Sequence, residues 1–336
     1  MTWHVAGAAR ATIGTRANQE DSFEIWPSGA QAATNRGEGL LAVVADGMGG
    51  HAGGEIAGEL ACRTFVTTFT GSEGGNGESL QRSLEAANAA IAAHVASNGN
   101  LRGMGCTLVA AWVDRGGLSW VSVGDSLLLL FRAPEVLRLN ADHSLGAFLD
   151  DQARRNLISA AEAKGNPYRN ALRSALTGKA LEIVDLQGDA YKLAAGDWLI
   201  LASDGIGTLD GDEIGDIVYA NREETAEVMA QRLIEAVEAK EDPDQDNTTV
   251  LVLRIDEDTS SVAEDQPTRV VRPEPVAATA AVAPPPATEP EGVATTQRIV
   301  QPPAVQSLFR KHRTMFVAAG MGLMFLVGWM LRAVLG

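Results

Sequence analysis

Acidic residues stand where several strands of this chain should begin or end. The apolar run LLAVVAD (40–46) closes on Asp46 and is followed at once by Gly47. LILASDG (199–205) repeats that form with Asp204 and Gly205, and VSVGDS (121–126) carries Asp125 at its end. DPDQDNTTVLVLRI (242–255) opens a strand with Asp246 and Asn247, and the pair Glu20-Asp21 precedes another in RANQEDSFEIW (16–26). Each alone is an ordinary strand-end turn. Together they suggest clustered carboxylates. Two of these about 4 Å apart repel by about 4 kcal/mol at an effective dielectric of about 20, so three or four remain ionised together only with cations among them. Oxygen-only ligands select hard ions, Mg²⁺ or Mn²⁺. On this reading Asp46 bridges two metal ions, and Gly47 lets the backbone come close enough to offer its carbonyl.

The glycine-rich loop after Asp46, in VVADGMGGHAGGEIAG (43–58), has two competing readings as a phosphate cradle. A Walker loop needs a Lys that does not follow here. A dinucleotide fingerprint matches formally over Gly47–Ala52, but it expects an acidic residue about 20 positions on, where TFVTTFT (64–70) has none. It would also set Asp46 against a pyrophosphate with no cation between them.

The elements that must position these residues follow from apolar patterning. Strands are predicted at 23–26, 40–46, 105–113, 118–125, 127–132, 197–204 and 248–255. Helices are predicted at 53–69, 79–96, 145–158 and 223–240. The pair Gly116-Gly117 signals a hairpin. Strands running from 105 to 139 without a helix between them argue for antiparallel sheets with flanking helices rather than a parallel βαβ sheet.

With those residues in view, the sequence resembles the metal-dependent PPM/PP2C protein serine/threonine phosphatases. The matching pieces run in family order: RANQED (16–21), ADGMGG (45–50), GCT (105–107), VGDS (123–126), ADHS (141–144), LRSALTG (172–178), SDG (203–205) and DNTTV (246–250). The resemblance implies an α+β fold, an αββα sandwich of two antiparallel sheets with a dinuclear Mn²⁺ or Mg²⁺ centre at one edge. By position, Asp46 is similar to the bridging ligand and Gly47 to the carbonyl ligand. Asp204 and Asp246 resemble the other ligands of one metal, and Glu20 and Asp21 resemble residues that hold metal-bound waters. Arg16 matches the arginine that grips the substrate phosphate. Asp125 matches the ligand of a third metal, shared with Asp204. The implied reaction is in-line attack on phosphorus by a metal-bridging hydroxide, with the cations and Arg16 neutralising the phosphoryl oxygens. Two positions depart from the pattern. Met48 stands where eukaryotic members carry a histidine proposed as general acid, which leaves a metal-bound water or another group to serve; His51 is a candidate, set against a purely structural role for it. Leu127 follows Gly-Asp-Ser where Arg or Lys is usual.

Composition bounds the rest. The net charge of −16 argues against a nucleic-acid partner. Cys62 and Cys106 have no metal-ligand spacing and read as small buried hydrophobes in a reducing compartment. The N-terminus lacks the pattern of a signal peptide. The expected organisation is a phosphatase domain over 1–257, a disordered Pro/Ala-rich linker over 258–307 with a reach on the order of 40 Å, and a basic juxtamembrane segment with a transmembrane helix over 308–336. Residues 314–331 carry no charge and would span about 27 Å as a helix. FRKHR (309–313) before them sets the phosphatase domain in the cytoplasm. The expected partners are proteins phosphorylated on Ser or Thr, an opposing Ser/Thr kinase, and the inner membrane that holds the anchor. Two alternatives stand beside this reading: a pseudophosphatase or phosphopeptide-binding scaffold, which retention of Asp46, Asp204 and Asp246 disfavours, and a hydrolase of small phosphoesters.

Overall fold

Several strands of this chain carry unbroken apolar runs, 40–45, 108–113, 127–131 and 198–202 among them, which an element exposed on one side cannot sustain. The reason lies in the layering. A computed structural model describes residues 3–27, 39–49 and 53–257. In it two antiparallel sheets stack face to face, and helices cover both outer faces.

The first sheet has the order β1 (Trp3–Thr12), β11 (Thr248–Glu257), β10 (Trp198–Ala202), β7 (Leu127–Arg132), β8 (Glu135–Arg138). The second has the order β2 (Asp21–Trp26), β3 (Gly39–Met48), β5 (Leu108–Asp114), β6 (Gly117–Val123), β9 (Asp185–Tyr191), with the short β4 (Gly105–Cys106) also paired to β3. Helices α1 (Gly53–Gly71) and α2 (Asn76–Ser97) cover the second sheet; α5 (Gly211–Ala220) and α6 (Ala226–Glu238) cover the first. The short α3 (Leu145–Arg154) and α4 (Ala160–Lys164) fall between β8 and β9.

Strand alternation divides each apolar run between two cores. In β3, Leu41, Val43 and Ala45 pack with Phe65 and Phe69 of α1, while Leu40, Ala42 and Val44 face the other sheet. In β10, Trp198, Ile200 and Ala202 pack under α6, and Leu199 and Leu201 turn inward. Each fully buried large side chain contributes about 1.5–3 kcal/mol by its removal from water. The middle layer, clamped on both sides, therefore fixes the strand registers, and with them the positions of the strand ends.

The expected αββα arrangement of antiparallel sheets is what the chain adopts, and the β5–β6 hairpin forms at the double glycine, with Asp114 opposite Gly117. Boundaries differ where local chemistry intervenes. The strand predicted over 105–113 divides at Thr107 into β4 and β5. The helix predicted to 158 stops at Arg154, because the chain turns left-handed at Asn156 (φ 57°). The helix predicted from 223 starts at Ala226, where the Thr225 hydroxyl accepts from the Val228 N–H. The tether and the spanning segment expected over 258–336 lie outside the described residues; among the described residues no helix is long and apolar enough to cross a membrane.

Candidate active site

Asp46 is opposite Asp21 in the β2–β3 register. Asp21 shares its face with Phe23 and Ile25, and Asp46 shares its face with Ala42 and Val44, so both point into the layer between the sheets. Asp204 follows β10 by two residues, Asp246 precedes β11 by two, and Asp125 follows β6 by two. These ends converge on one cleft of about 930 Å³, lined by Arg16, Glu20, Asp46, Gly47, Met48, Asp125, Asp204 and Asp246 among others.

Backbone ties hold the converging segments. The Asn247 side chain clasps the loop that carries Arg16: its Nδ2 donates to the Ile13 and Asn18 carbonyls at 2.9 and 3.0 Å, and its Oδ1 accepts from the Glu20 N–H at 2.8 Å. The Gly47 N–H donates to the Glu20 carbonyl at 3.1 Å. Gly47 has no room for a side chain; a Cβ there would lie 2.2 Å from the Gly54 carbonyl oxygen and 2.5 Å from that of Glu20. Thr107 grips Asp46 from the other side, its N–H donating to the Asp46 carbonyl and its Oγ1 accepting from the Asp46 N–H. Arg138 donates to the Asp125 carbonyl at 2.8 Å and pairs with Asp142. Leu127 packs into the core beneath α6, so the departure after Gly-Asp-Ser is a packing residue here.

The carboxyl groups make one another hard to ionise. Burial first, then the charges of Asp21, Asp204, Asp125 and Asp246, hold the Asp46 carboxyl well above the usual range. Burial raises Asp21 to about 7, against a hydrogen bond from the Ser203 hydroxyl at 2.6 Å and with the charges of Asp204 and Asp246 raising it further. Asp125 is pushed up to about 7 by burial and by Asp204. Asp204 is raised by burial and by Asp246; it opens to the cleft but is flanked closely by protein. Glu20 is raised by burial, with Arg16 opposing.

Such a donor set fits divalent cations. All its side-chain donors are oxygens, their charges raise one another's pKa, and Asp21 Oδ1 is buried with no hydrogen-bond partner. Among the described residues no three His, Cys, Asp or Glu side chains draw tightly enough around one point to ligate an ion. Arg16 holds Asp246 in an ion pair at 2.5 Å.

Comparison with known proteins places this geometry. The family description "Protein phosphatase 2C" matches residues 11–162. The serine/threonine phosphatase Stp of Listeria innocua is 31% identical over 229 residues, covering 65% of this chain and 86% of Stp. The chain belongs to the protein phosphatase 2C family. The serine/threonine protein phosphatase PstP of Mycobacterium tuberculosis is 36% identical over 249 residues, 73% of this chain and 44% of PstP, so the chain matches less than half the length of that relative. The crystal structure of the PstP catalytic domain in complex with two manganese ions superposes with a TM-score of 0.61 at 31% identity, covering 76% of this chain and all of that one.

As a protein phosphatase 2C member, the chain brings Arg16, Glu20, Asp46, Gly47, Asp125, Asp204 and Asp246 to one cleft, as the motifs imply. Asp21 is set apart: it is buried behind the cleft wall and held by Ser203. Met48 lines the cleft and has no proton to give; His51 lies outside the described residues. The sequence reading assigned no role to Asn247, Thr107 or Ser203. All three lie inside quoted motifs, DNTTV, GCT and SDG, so the signal was present without its purpose.

Proposed function

We propose that the chain is a metal-dependent phosphoprotein phosphatase acting on phosphoserine and phosphothreonine. The observation that carries this reading is the convergence of Asp46, Asp125, Asp204 and Asp246, from four separate segments, on a cleft with Arg16 at its edge. Asp46, the Gly47 carbonyl, Asp204 and Asp246 would hold two Mn²⁺ or Mg²⁺ ions, Asp125 and Asp204 a third, and Glu20 would hold water beside them, with Asp21 behind the wall adding its charge. Bound there, the ions supply charge neutralisation and Lewis-acid activation of water. The chain's own groups do the rest. Arg16, on a loop fixed by Asn247, exchanges its contact with Asp246 for the phosphoryl oxygens, where its planar fork sets their orientation. Thr107 and the close approach at Gly47 fix the backbone of Asp46 and Gly47 at the cleft wall. The proton for the departing Ser or Thr oxygen comes from a group other than Met48. Conversion of Asp46 or Asp204 to Ala should abolish Mn²⁺-dependent phosphate release from a phosphothreonine peptide; full activity in either variant refutes the assignment.

In the proposed organisation residues 1–257 form the catalytic domain, 258–307 a tether, and 308–336 a basic segment and single membrane-spanning helix. The support is the uncharged stretch 314–331 and the cations of FRKHR before it. This would hold the domain at the cytoplasmic face of the inner membrane, opposing a Ser/Thr kinase.

A further inference from the structure

The cleft has a second wall, away from the carboxylates. It is built from a strap over residues 172–179 that is neither helix nor named strand. The strap is fixed at several points. Leu172 bridges to Ser144, and the Arg173 N–H donates to the His143 carbonyl at 2.8 Å. Leu176 is fully buried under α1 and α2 and exchanges both backbone hydrogen bonds with Cys106, at 3.0 and 2.9 Å. At the far end the Asn88 side chain of α2 holds two successive residues: its Oδ1 accepts from the Gly178 N–H at 2.8 Å, and its Nδ2 donates to the Lys179 carbonyl at 2.6 Å. Gly178 adopts φ +77° and passes so close to α2 that a Cβ would lie 2.6 Å from the Ala92 Cα. Only glycine meets both demands.

This construction presents Lys179 at the cleft. Its side chain is exposed, and among the described residues it makes no ion pair. The other cation of that wall, Arg173, is committed to the Phe148 ring, 4.4 Å from its centroid. A cleft of about 930 Å³ holds far more than one phosphoryl group, so residues flanking the phosphorylated one must lie along its walls. In a cleft lined by carboxylates, Glu182 of the same wall among them, Lys179 is a cation on a rigidly held backbone with its ammonium group left uncommitted.

We propose that Lys179, positioned by Asn88, is a specificity-determining residue that receives a second anionic group of the substrate, close in sequence to the phosphorylated Ser or Thr. The inference rests on the phosphatase reading. The anion is a carboxylate or a second phosphate, which present the same charge to an ammonium group. Because the strap is held from both sides, little ordering remains to be done when that anion arrives.

The test uses the full chain with Mn²⁺ and four phosphothreonine peptides of one length, whose flanking positions carry Glu, Ala, Lys or a second phosphothreonine. The wild type should prefer the Glu or doubly phosphorylated peptide over the Lys peptide by about fivefold or more in kcat/KM, the size expected of one half-exposed charge pair. The preference should lie in KM and should shrink in 0.5 M NaCl, where exposed charges are screened within roughly 4–5 Å. K179E should invert it, K179R should keep it, and N88A should weaken it toward unity. A response to the doubly phosphorylated peptide alone assigns the anion as phosphate; a response to Glu shows that a carboxylate suffices. Equal use of all four peptides by the wild type, or an unchanged ratio in K179E, overturns the inference while leaving the phosphatase reading in place. No phosphate release from any peptide overturns both.

Discussion

Asp21 and Asp46 are direct partners across the β2–β3 ladder, both on the face between the sheets. Two carboxyl groups have been folded onto neighbouring strands at the edge of a layer filled largely by apolar side chains. The apolar packing around them stabilises the placement, and the carboxyl groups oppose it whenever they ionise.

That conflict gives the metal-free protein a pH dependence with a definite sign. Asp21 and Asp125 titrate near 7 in the folded chain, against an ordinary value of 3.8. Below about pH 4 both states are protonated and these groups contribute no slope. Between about 4 and 7 the folded chain retains protons that the unfolded chain has released, so stability falls as pH rises, by at most about 4 kcal/mol per group. Thermal unfolding in chelator should show Tm declining across that window, and Asp21→Asn should flatten the decline. Added Mn²⁺ should raise Tm more at pH 7.5 than at pH 5, since cations replace the missing protons. A chelated protein whose Tm climbs from pH 5 to 7.5 would contradict the electrostatic account of the site.

Gly47 is expected to tolerate no side chain. A Cβ there meets two backbone carbonyl oxygens, neither of which can rotate away. Gly47→Ala should therefore cost about 1–3 kcal/mol of stability as overpacking, read as a lower urea midpoint. It should also weaken Mn²⁺ binding, measured by calorimetry, because the strand end must move. Wild-type values on both measurements would remove the close approach as an explanation for the glycine.

Asn247 should matter through Arg16. Its side chain serves the Ile13 and Asn18 carbonyls and the Glu20 N–H, so Asn247→Ala leaves three backbone groups seeking water. A loss of about 1–3 kcal/mol is expected, together with a fall in kcat/KM on phosphopeptides as the Arg16 loop loosens. Arg16→Ala should behave differently. Its ion pair with Asp246 is half-exposed and worth at most about 1 kcal/mol, so activity should drop with little change in Tm. Equal stability losses in the two variants would dissociate Asn247 from the loop.

Much of the fold was legible because apolar runs report burial: 40–46, 127–132 and 248–255 lie in strands, and the run 197–204 holds β10 at Trp198–Ala202 before the chain turns at Ser203-Asp204. The elements that escaped are those whose residues carry no such pattern. β1, WHVAGAARAT, is rich in alanine and sits at a sheet edge, where pairing with β11 rather than composition holds it extended. β9, DLQGDAY, has no fully buried residue. The short α5 is set by a capping box between Asp210 and Glu213, a signal of two residues. At the site, the carboxylates could be named from motif order. The clasp by Asn247 and the clamp by Asn88 could not, since both depend on segments about 90 to 230 positions apart meeting in space.

The proposed anchor is expected to be dispensable for the chemistry. The described fold ends with β11 at Glu257, whose strand pairs along its length with β1 and closes the first sheet. No described element of either sheet or of the cleft draws on residues after 257. Deleting 308–336 should therefore leave kcat and KM on phosphothreonine peptides within about twofold of the full chain. It should also move the protein from the membrane fraction to the soluble fraction, since the uncharged stretch 314–331 is long enough to span the hydrocarbon core. The full chain should resist extraction by high salt and yield to detergent, which distinguishes an inserted helix from attraction of FRKHR to anionic lipid. Release of the full chain by salt alone would refute the spanning helix without touching the metal site.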